Sequence, residues 1–140
     1  MGAPVTPSAC PFCTPTPDRV FYRSELVVGL WDAYPVSPGH ALLVTTRHVE
    51  SWFDATPAEQ AALLNAISIV REAVEARFGP AGYNIGVNVG TVAGQTIPHL
   101  HVHLIPRYSG DVQEPAGGVR HVIPHRAKYP FSEESPQGTS

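Results

Sequence analysis

Gln95-Thr96-Ile97-Pro98-His99-Leu100-His101-Val102-His103-Leu104-Ile105-Pro106-Arg107 is the stretch whose reading decides the fold. Histidines and aliphatic residues alternate in it with a period of two, which only an extended strand provides. His99, His101 and His103 therefore share one face, and Leu100, Val102 and Leu104 share the other. The aliphatic face predicts packing on a core, with the imidazoles held at a wet surface. A rise of about 3.3 Å per residue sets neighbouring imidazole stems roughly 6–7 Å apart, close enough for all three rings to serve one polyanionic ligand. A row of buried, unpartnered rings would be costly, so a reactive role is favoured over a passive one. Two chemistries suit such a row: a histidine-based metal site, or a histidine nucleophile with helpers.

Outward from that stretch, Tyr83-Asn84-Ile85-Gly86-Val87-Asn88 alternates again, predicting a strand with Tyr83, Ile85 and Val87 inward. Gly90 to Gly94 follows as a small-residue loop, a backbone that allows amides close to a phosphate. Upstream, Thr56-Pro57-Ala58-Glu59 signals a helix start, with Thr56 as cap, Pro57 at the first helical position and Glu59 closing a capping box. Leu63, Ile67, Val70, Val74 and Phe78 recur every three or four residues before Gly79-Pro80 ends the helix. Glu72, Glu75, Arg71 and Arg77 are expected mostly in solvent. Ala41 to Thr45 reads as an apolar strand, preceded by a turn over Pro35 to His40. Val20 to Tyr22 and Leu26 to Leu30 read as two short strands around a polar turn. Asp32 lies just beyond the second, where a lone aspartate is usually a turn former.

Cys10-Pro11-Phe12-Cys13 holds both cysteines. A redox pair of this spacing needs a helix opening at it, which Pro15 and Pro17 oppose. A disulfide would close a tiny loop and constrain little. Half of a zinc site is the better reading, since two thiolates at this spacing reach one tetrahedral ion.

Composition bounds the rest. With 140 residues, 43% of them hydrophobic, the chain supports one domain with a real core, expected over residues 1–131 with 1–9 as a loose arm and 132–140 as a disordered tail. A net charge of -3 and a pI near 6.1 argue against nucleic-acid polymers and membrane surfaces as partners. No apolar run or leader pattern suggests a membrane span or export, so the cytoplasm is the expected location.

Gly94 to His103, together with Pro35-Val36-Ser37-Pro38-Gly39-His40 and the Asn84 to Asn88 segment, resembles the histidine triad (HIT) superfamily. The likeness runs from about Cys10 to Asp111. It implies an α+β fold with an antiparallel sheet of about five strands and one long helix, dimerising into a larger sheet as a homodimer. It also implies a nucleotide substrate cleaved at the α-phosphate by a nucleotide hydrolase or nucleotidyl transferase. In that reading His101 is the nucleophile, with His103, Thr96 and Gln95 as catalytic helpers. Asp32 binds ribose, and Asn88, Gly94, Gln95, Thr96 and His103 bind the phosphates. Zinc-bearing relatives imply a structural zinc on Cys10, Cys13, His48 and His99, with no organic cofactor. The weaker alternative for His48 is a loop histidine at the strand exit. His40 is expected to be structural, packing or hydrogen bonding under the sheet. Arg107, Arg120 and Lys128 are candidates to neutralise distal phosphates, and Gly117 to Pro124 is expected to be an extra strand or an arm. Diadenosine polyphosphates are the favoured substrates, with nucleoside phosphoramidates and aminoacyl-adenylates as competitors. A metallohydrolase using the three histidines and a non-catalytic nucleotide sensor are the readings from other classes.

Overall fold

The computed structural model describes residues 9–130. The tail expected over 132–140, and all but Ala9 of the arm expected over 1–9, lie outside the described residues. Contacts group the chain into two compact units that part between Arg107 and Tyr108.

The first unit is built on a five-stranded sheet. Strands β1 (Val20–Arg23), β2 (Val27–Trp31), β3 (Ala41–Thr45), β4 (Gly82–Val87) and β5 (His101–Arg107) lie in the order β1-β2-β3-β5-β4. Every neighbouring pair is antiparallel. The α+β class expected from the sequence is the one observed. Helix α1 (Pro57–Phe78) is the single α-helix among the described residues. Thr56 caps it through a complete capping box with Glu59, and Gly79 ends it at φ 61°. That left-handed angle favours glycine and stops the helix as the sequence predicts.

Alternation along the strands divides the apolar residues between two faces. Leu43, Leu100, Val102 and Leu104 pack with Leu63, Ala66, Val70 and Val74 of α1. Truncating one of these buried leucines to alanine would cost about 2–5 kcal/mol. Val28, Leu30, Leu42 and Val44 face the opposite way and pack with Cys10 and Phe12. His103 stands opposite Leu42 and His101 opposite Val44 in the β3/β5 register, so Cys10 and Phe12 cover the face that carries the imidazoles.

Three expectations are corrected here. The strand begins at His101, and His99 sits in the bend before it, where Leu100 N–H donates to the Val49 carbonyl at 2.7 Å. His99 and His101 are buried rather than wet, at 0% and 7% exposure. Phe12 is the cause, because its ring stands edge-on to both imidazoles at 5.9 and 4.9 Å. Ile85, expected inward, is 46% exposed, because β4 is the edge strand.

The second unit carries two short 3-10 turns, Gly118–Val122 and Pro124–Arg126, in place of the extra strand that was one of the expected readings. Gly117 adopts φ 99°, and a Cβ there would meet the Ala127 carbonyl at 2.6 Å. Arg120 donates to the Ala127 and Arg126 carbonyls at 2.9 and 2.7 Å. Its guanidinium closes this local fold rather than standing free for phosphate. Arg107, in the first unit, donates to Asn84 Oδ1 at 2.6 Å.

Candidate active site and metal centre

The cysteine turn is closed by backbone hydrogen bonds from Cys13 and Thr14 to the Cys10 carbonyl. It brings both sulfurs to two histidines: Cys10 Sγ lies 3.3 Å from His99 Nδ1, and Cys13 Sγ lies 3.0 Å from His48 Nδ1. The donor atoms of Cys10, Cys13, His48 and His99 all lie within 4.8 Å of one another. The donor chemistry fits a closed tetrahedral zinc site of the Cys2His2 kind. A tautomer supports the fit. His99 Nε2 lies 2.8 Å from the Thr45 carbonyl, which can only accept, so Nε2 carries the proton and Nδ1 offers its lone pair to the sulfurs. Burial and the neighbouring Cys10 thiol push the Cys13 thiol up to about 11, a penalty that a bound cation would offset.

His101 is pinned in the opposite sense. Its Nδ1–H donates to the His99 carbonyl at 2.7 Å, leaving the Nε2 lone pair for the cavity. Burial holds this imidazole below its ordinary 6.5, against the opposing pull of the His99 hydrogen bond and Asp32, so the ring is neutral near pH 7. A neutral ring with one nitrogen committed to a carbonyl is a nucleophile with a fixed direction of attack.

The cavity beside it has a volume of about 480 Å³, and its lining includes Asp32, Asn88, Gly94, Thr96, His101 and His103. Six of the expected catalytic and substrate-binding residues therefore meet around one space. Gln95 is the exception. It is 94% buried, given an exposure of 6%, and its amide donates to the Glu50 and Ile97 carbonyls while its oxygen accepts from Gly90 N–H. The side chain staples the loop from Gly90 to Thr96 instead of facing the cavity. Gly90 and Gly94 take φ 89° and 98° in that loop, angles that favour glycine.

Asp32 fills the turn-former reading and also meets His40. Its Oδ1 accepts from Tyr34 N–H at 2.8 Å in a local turn, and its Oδ2 lies 3.4 Å from His40 Nε2. His40 is more than packing, because its Nε2 also lies 2.9 Å from His103 Nδ1. Gly39 makes this possible: at φ 87° it turns the chain into β3 where a Cβ would meet the Phe78 ring at 2.8 Å. Sequence reasoning missed Phe12, Arg19, Leu42 and Ile97 as cavity residues. The Cys-x-x-Cys motif could have flagged Phe12, because a metal clamp fixes whatever lies between its cysteines. Arg19 gives no such signal; its Nε donates to the Trp31 carbonyl at 2.9 Å. The three triad histidines do not converge on one ion. His99 groups with the cysteines, and a second group joins Asp32, His40 and His103. A metallohydrolase built on the triad itself is not the observed arrangement.

An α+β fold in which His99, in the bend before β5, meets a thiol cluster while His101 and His103 on the strand meet a cavity points to the histidine triad class. The HIT domain family profile matches residues 14–110, and the chain belongs to this family. Among its relatives is the bis(5'-nucleosyl)-tetraphosphatase of Schizosaccharomyces pombe, 39% identical over 71% of this chain and 55% of that protein. An AP-4-A phosphorylase of Mycobacterium tuberculosis is 38% identical over 66% of this chain and 48% of its own length. The chain thus spans about half the length of these two curated relatives. A zinc-bound histidine triad family protein of Mycobacterium smegmatis has a similar structure, with a TM-score of 0.70 and 27% identity over 78% of this chain and 82% of that one. Among the described residues, no helix is long and apolar enough to cross a membrane.

Proposed function

We propose that this chain is a nucleotide hydrolase or nucleotidyl transferase that attacks the α-phosphate of purine nucleotides, with diadenosine polyphosphates as the favoured substrates. The observation that carries this reading is the His101 Nδ1–H bond to the His99 carbonyl, which aims the Nε2 lone pair into the cavity. In the first step Nε2 forms a bond to the α-phosphorus, and the bond from phosphorus to the bridging oxygen breaks. The leaving nucleotide departs with that electron pair. In the second step water adds to the phosphorus, the P–N bond breaks, and the nucleoside monophosphate is released. Two modest barriers replace one high one.

His103 donates to the phosphoryl or bridging oxygen, and Asn88, Thr96 and the amides around Gly94 hold the phosphate oxygens as charge shifts during attack. Asp32 accepts from the ribose hydroxyls. Gln95 acts on the phosphate loop through its bonds to Gly90, Glu50 and Ile97. The dinucleoside-polyphosphate relatives favour this substrate class over phosphoramidates and aminoacyl-adenylates.

Cys10, Cys13, His48 and His99 hold a structural zinc in this reading, supported by the donor set and by the zinc-bound relative. Held there, the ion would brace His99, whose backbone carbonyl orients His101. Two free thiols suit a reducing compartment, which fits the cytoplasm. The homodimer implied by the resemblance is supported by β4 at the sheet edge among the described residues and by an apolar hollow of about 250 Å³, whose lining includes Trp52, Leu64, Ile67 and Ile85. Incubation with a panel of adenosine and guanosine polyphosphates, followed by mass spectrometry of the quenched protein, tests the mechanism. A nucleotidyl adduct on His101 is expected. Turnover that survives His101→Ala would refute the reading.

A further inference from the structure

We infer that His40 is a positioning residue that fixes which nitrogen of His103 carries its proton, so that His103 meets the substrate as a hydrogen-bond donor. The inference rests on the role given to His103 above, and its first link is a backbone amide that cannot change its role. Val36 N–H lies 3.2 Å from His40 Nδ1, and an amide N–H can only donate. The neutral His40 ring therefore carries its proton on Nε2. That N–H lies 2.9 Å from His103 Nδ1 and 3.4 Å from Asp32 Oδ2. Whichever of the two it favours, a second N–H on His103 Nδ1 would face it at hydrogen-bond distance. His103 Nδ1 is therefore bare, and its proton sits on Nε2.

Both rings are neutral in this environment. Burial lowers His40 against the pull of Asp32, and burial followed by the His101 and His40 rings brings His103 down to about 4. Tautomer, rather than charge, is then what the pair transmits. The result is a division of labour between two adjacent cavity histidines: His101 presents a lone pair, and His103 presents an N–H. His103 in the other tautomer would present a second lone pair to an already anionic phosphate, and the repulsion would oppose attack.

The same geometry answers an alternative. Asp32, His40 and His103 place three ligand atoms within 4.8 Å, a set that could hold a cation. A cation would need His40 Nε2 bare, which moves the proton to Nδ1 and points it at the Val36 amide. The backbone thus selects the hydrogen-bonded arrangement.

The test begins without substrate. Imidazole nitrogen NMR on uniformly nitrogen-15-labelled protein, with the His103 signals assigned through His103→Asn, reads the tautomer directly. The wild type is expected to show Nδ1 bare and Nε2 protonated on His103. His40→Phe removes the guide and is expected to mix the two tautomers, while His40→Gln keeps an N–H donor at that end and is expected to preserve the wild-type state. Kinetics on aryl esters of adenosine monophosphate supply the second readout. His40→Phe is expected to lower kcat by about tenfold to a hundredfold for the phenyl ester, the scale of a lost transition-state donor. The 4-nitrophenyl ester, whose leaving group needs less help, should lose far less, and His40→Gln should recover most of the difference.

A proton on Nδ1 of wild-type His103 would overturn the inference. So would an unchanged tautomer in His40→Phe, or equal losses across the ester series. Should His40→Phe fail to fold, the wild-type spectrum and the His40→Gln variant still decide. If the wild type cleaved none of these esters, the proposed function would fall, and the NMR result would judge the tautomer on its own.

Discussion

Replacing Glu59 by glutamine should destabilise the fold by about 2–3 kcal/mol at neutral pH, and the structure shows where that figure comes from. Glu59 Oε1 accepts from Thr56 N–H at 2.9 Å and from Arg47 Nη2 at 2.8 Å, while Oε2 accepts from Arg47 Nε at 2.9 Å. A glutamine oxygen placed at the Oε1 position keeps the helix cap and one arginine bond. Its NH2 then opposes the Arg47 Nε–H, so one charge-assisted bond worth about 1.5–3 kcal/mol is lost and the other is weakened. Breaking a fully buried pair costs about 3–5 kcal/mol. Arg47 is 54% exposed, so water can re-solvate it, and the lower figure applies. For a chain of this size the loss corresponds to a drop in Tm of about 10 °C.

The pH dependence gives the sharper test. The bonds from Arg47, helped by Thr56, lower the Glu59 carboxyl from an ordinary 4.5 to about 2. Its stabilisation is therefore complete above the unfolded value and fades as pH falls from 4.5 towards 2. Thermal and urea melts of wild type and Glu59→Gln, run from pH 7 down to pH 2.5, should show the gap closing over that window. Other carboxylates titrate in both proteins and cancel in the difference. A Tm change below about 2 °C at pH 7 would refute the reasoning, as would a gap that stays constant with pH.

His101→Ala should lose all measurable turnover while binding a non-hydrolysable dinucleotide within a few-fold of wild type, as read by calorimetry. Cys13→Ser should lower the zinc-to-protein ratio measured by atomic emission and reduce Tm, because one of four ligands and its share of the folding free energy are removed. Gln95→Ala should raise KM more than it lowers kcat in steady-state assays, since the side chain holds the loop from Gly90 to Thr96 and does not line the cavity. Ile85→Glu places a charge at the open rim of the α1-facing side, where Ile85 of the edge strand is 46% exposed; sedimentation should show monomers with an unchanged circular dichroism spectrum.

The sequence made the frame legible because its signals are local. A capping box, a helical stripe and a period of two each arise within a few residues, and each matches its element to within a residue or two. Alternation told which face His101 and His103 share, since β pairing against Leu42 and Val44 preserves that parity. It could not tell how deeply the face is covered, because Phe12 arrives from a segment 89 residues upstream of His101. The direction of the Gln95 side chain was hidden for a related reason. Its partners, the Glu50 carbonyl and the Gly90 amide, are backbone groups with no residue type to read. His40 was read as structural because its partner lies 63 residues away on a non-adjacent stretch of chain.

Three chemically identical side chains end in two tautomers and three surroundings, and backbone groups account for each assignment. The Thr45 carbonyl takes the Nε2 proton of His99 and frees Nδ1 for the thiol cluster. The His99 carbonyl takes the Nδ1 proton of His101 and frees Nε2 for the cavity. The Val36 amide acts through His40 and frees the Nε2–H of His103. Each assignment depends on a group whose donor or acceptor character never varies, so the pattern resists changes in side-chain ionisation nearby. It also makes His99 the joint between the thiol cluster and His101, since its ring meets Cys10 and Cys13 while its carbonyl orients His101. In the proposed mechanism, a change that lets the bend at His99 relax would turn the Nε2 lone pair of His101 away from the phosphorus.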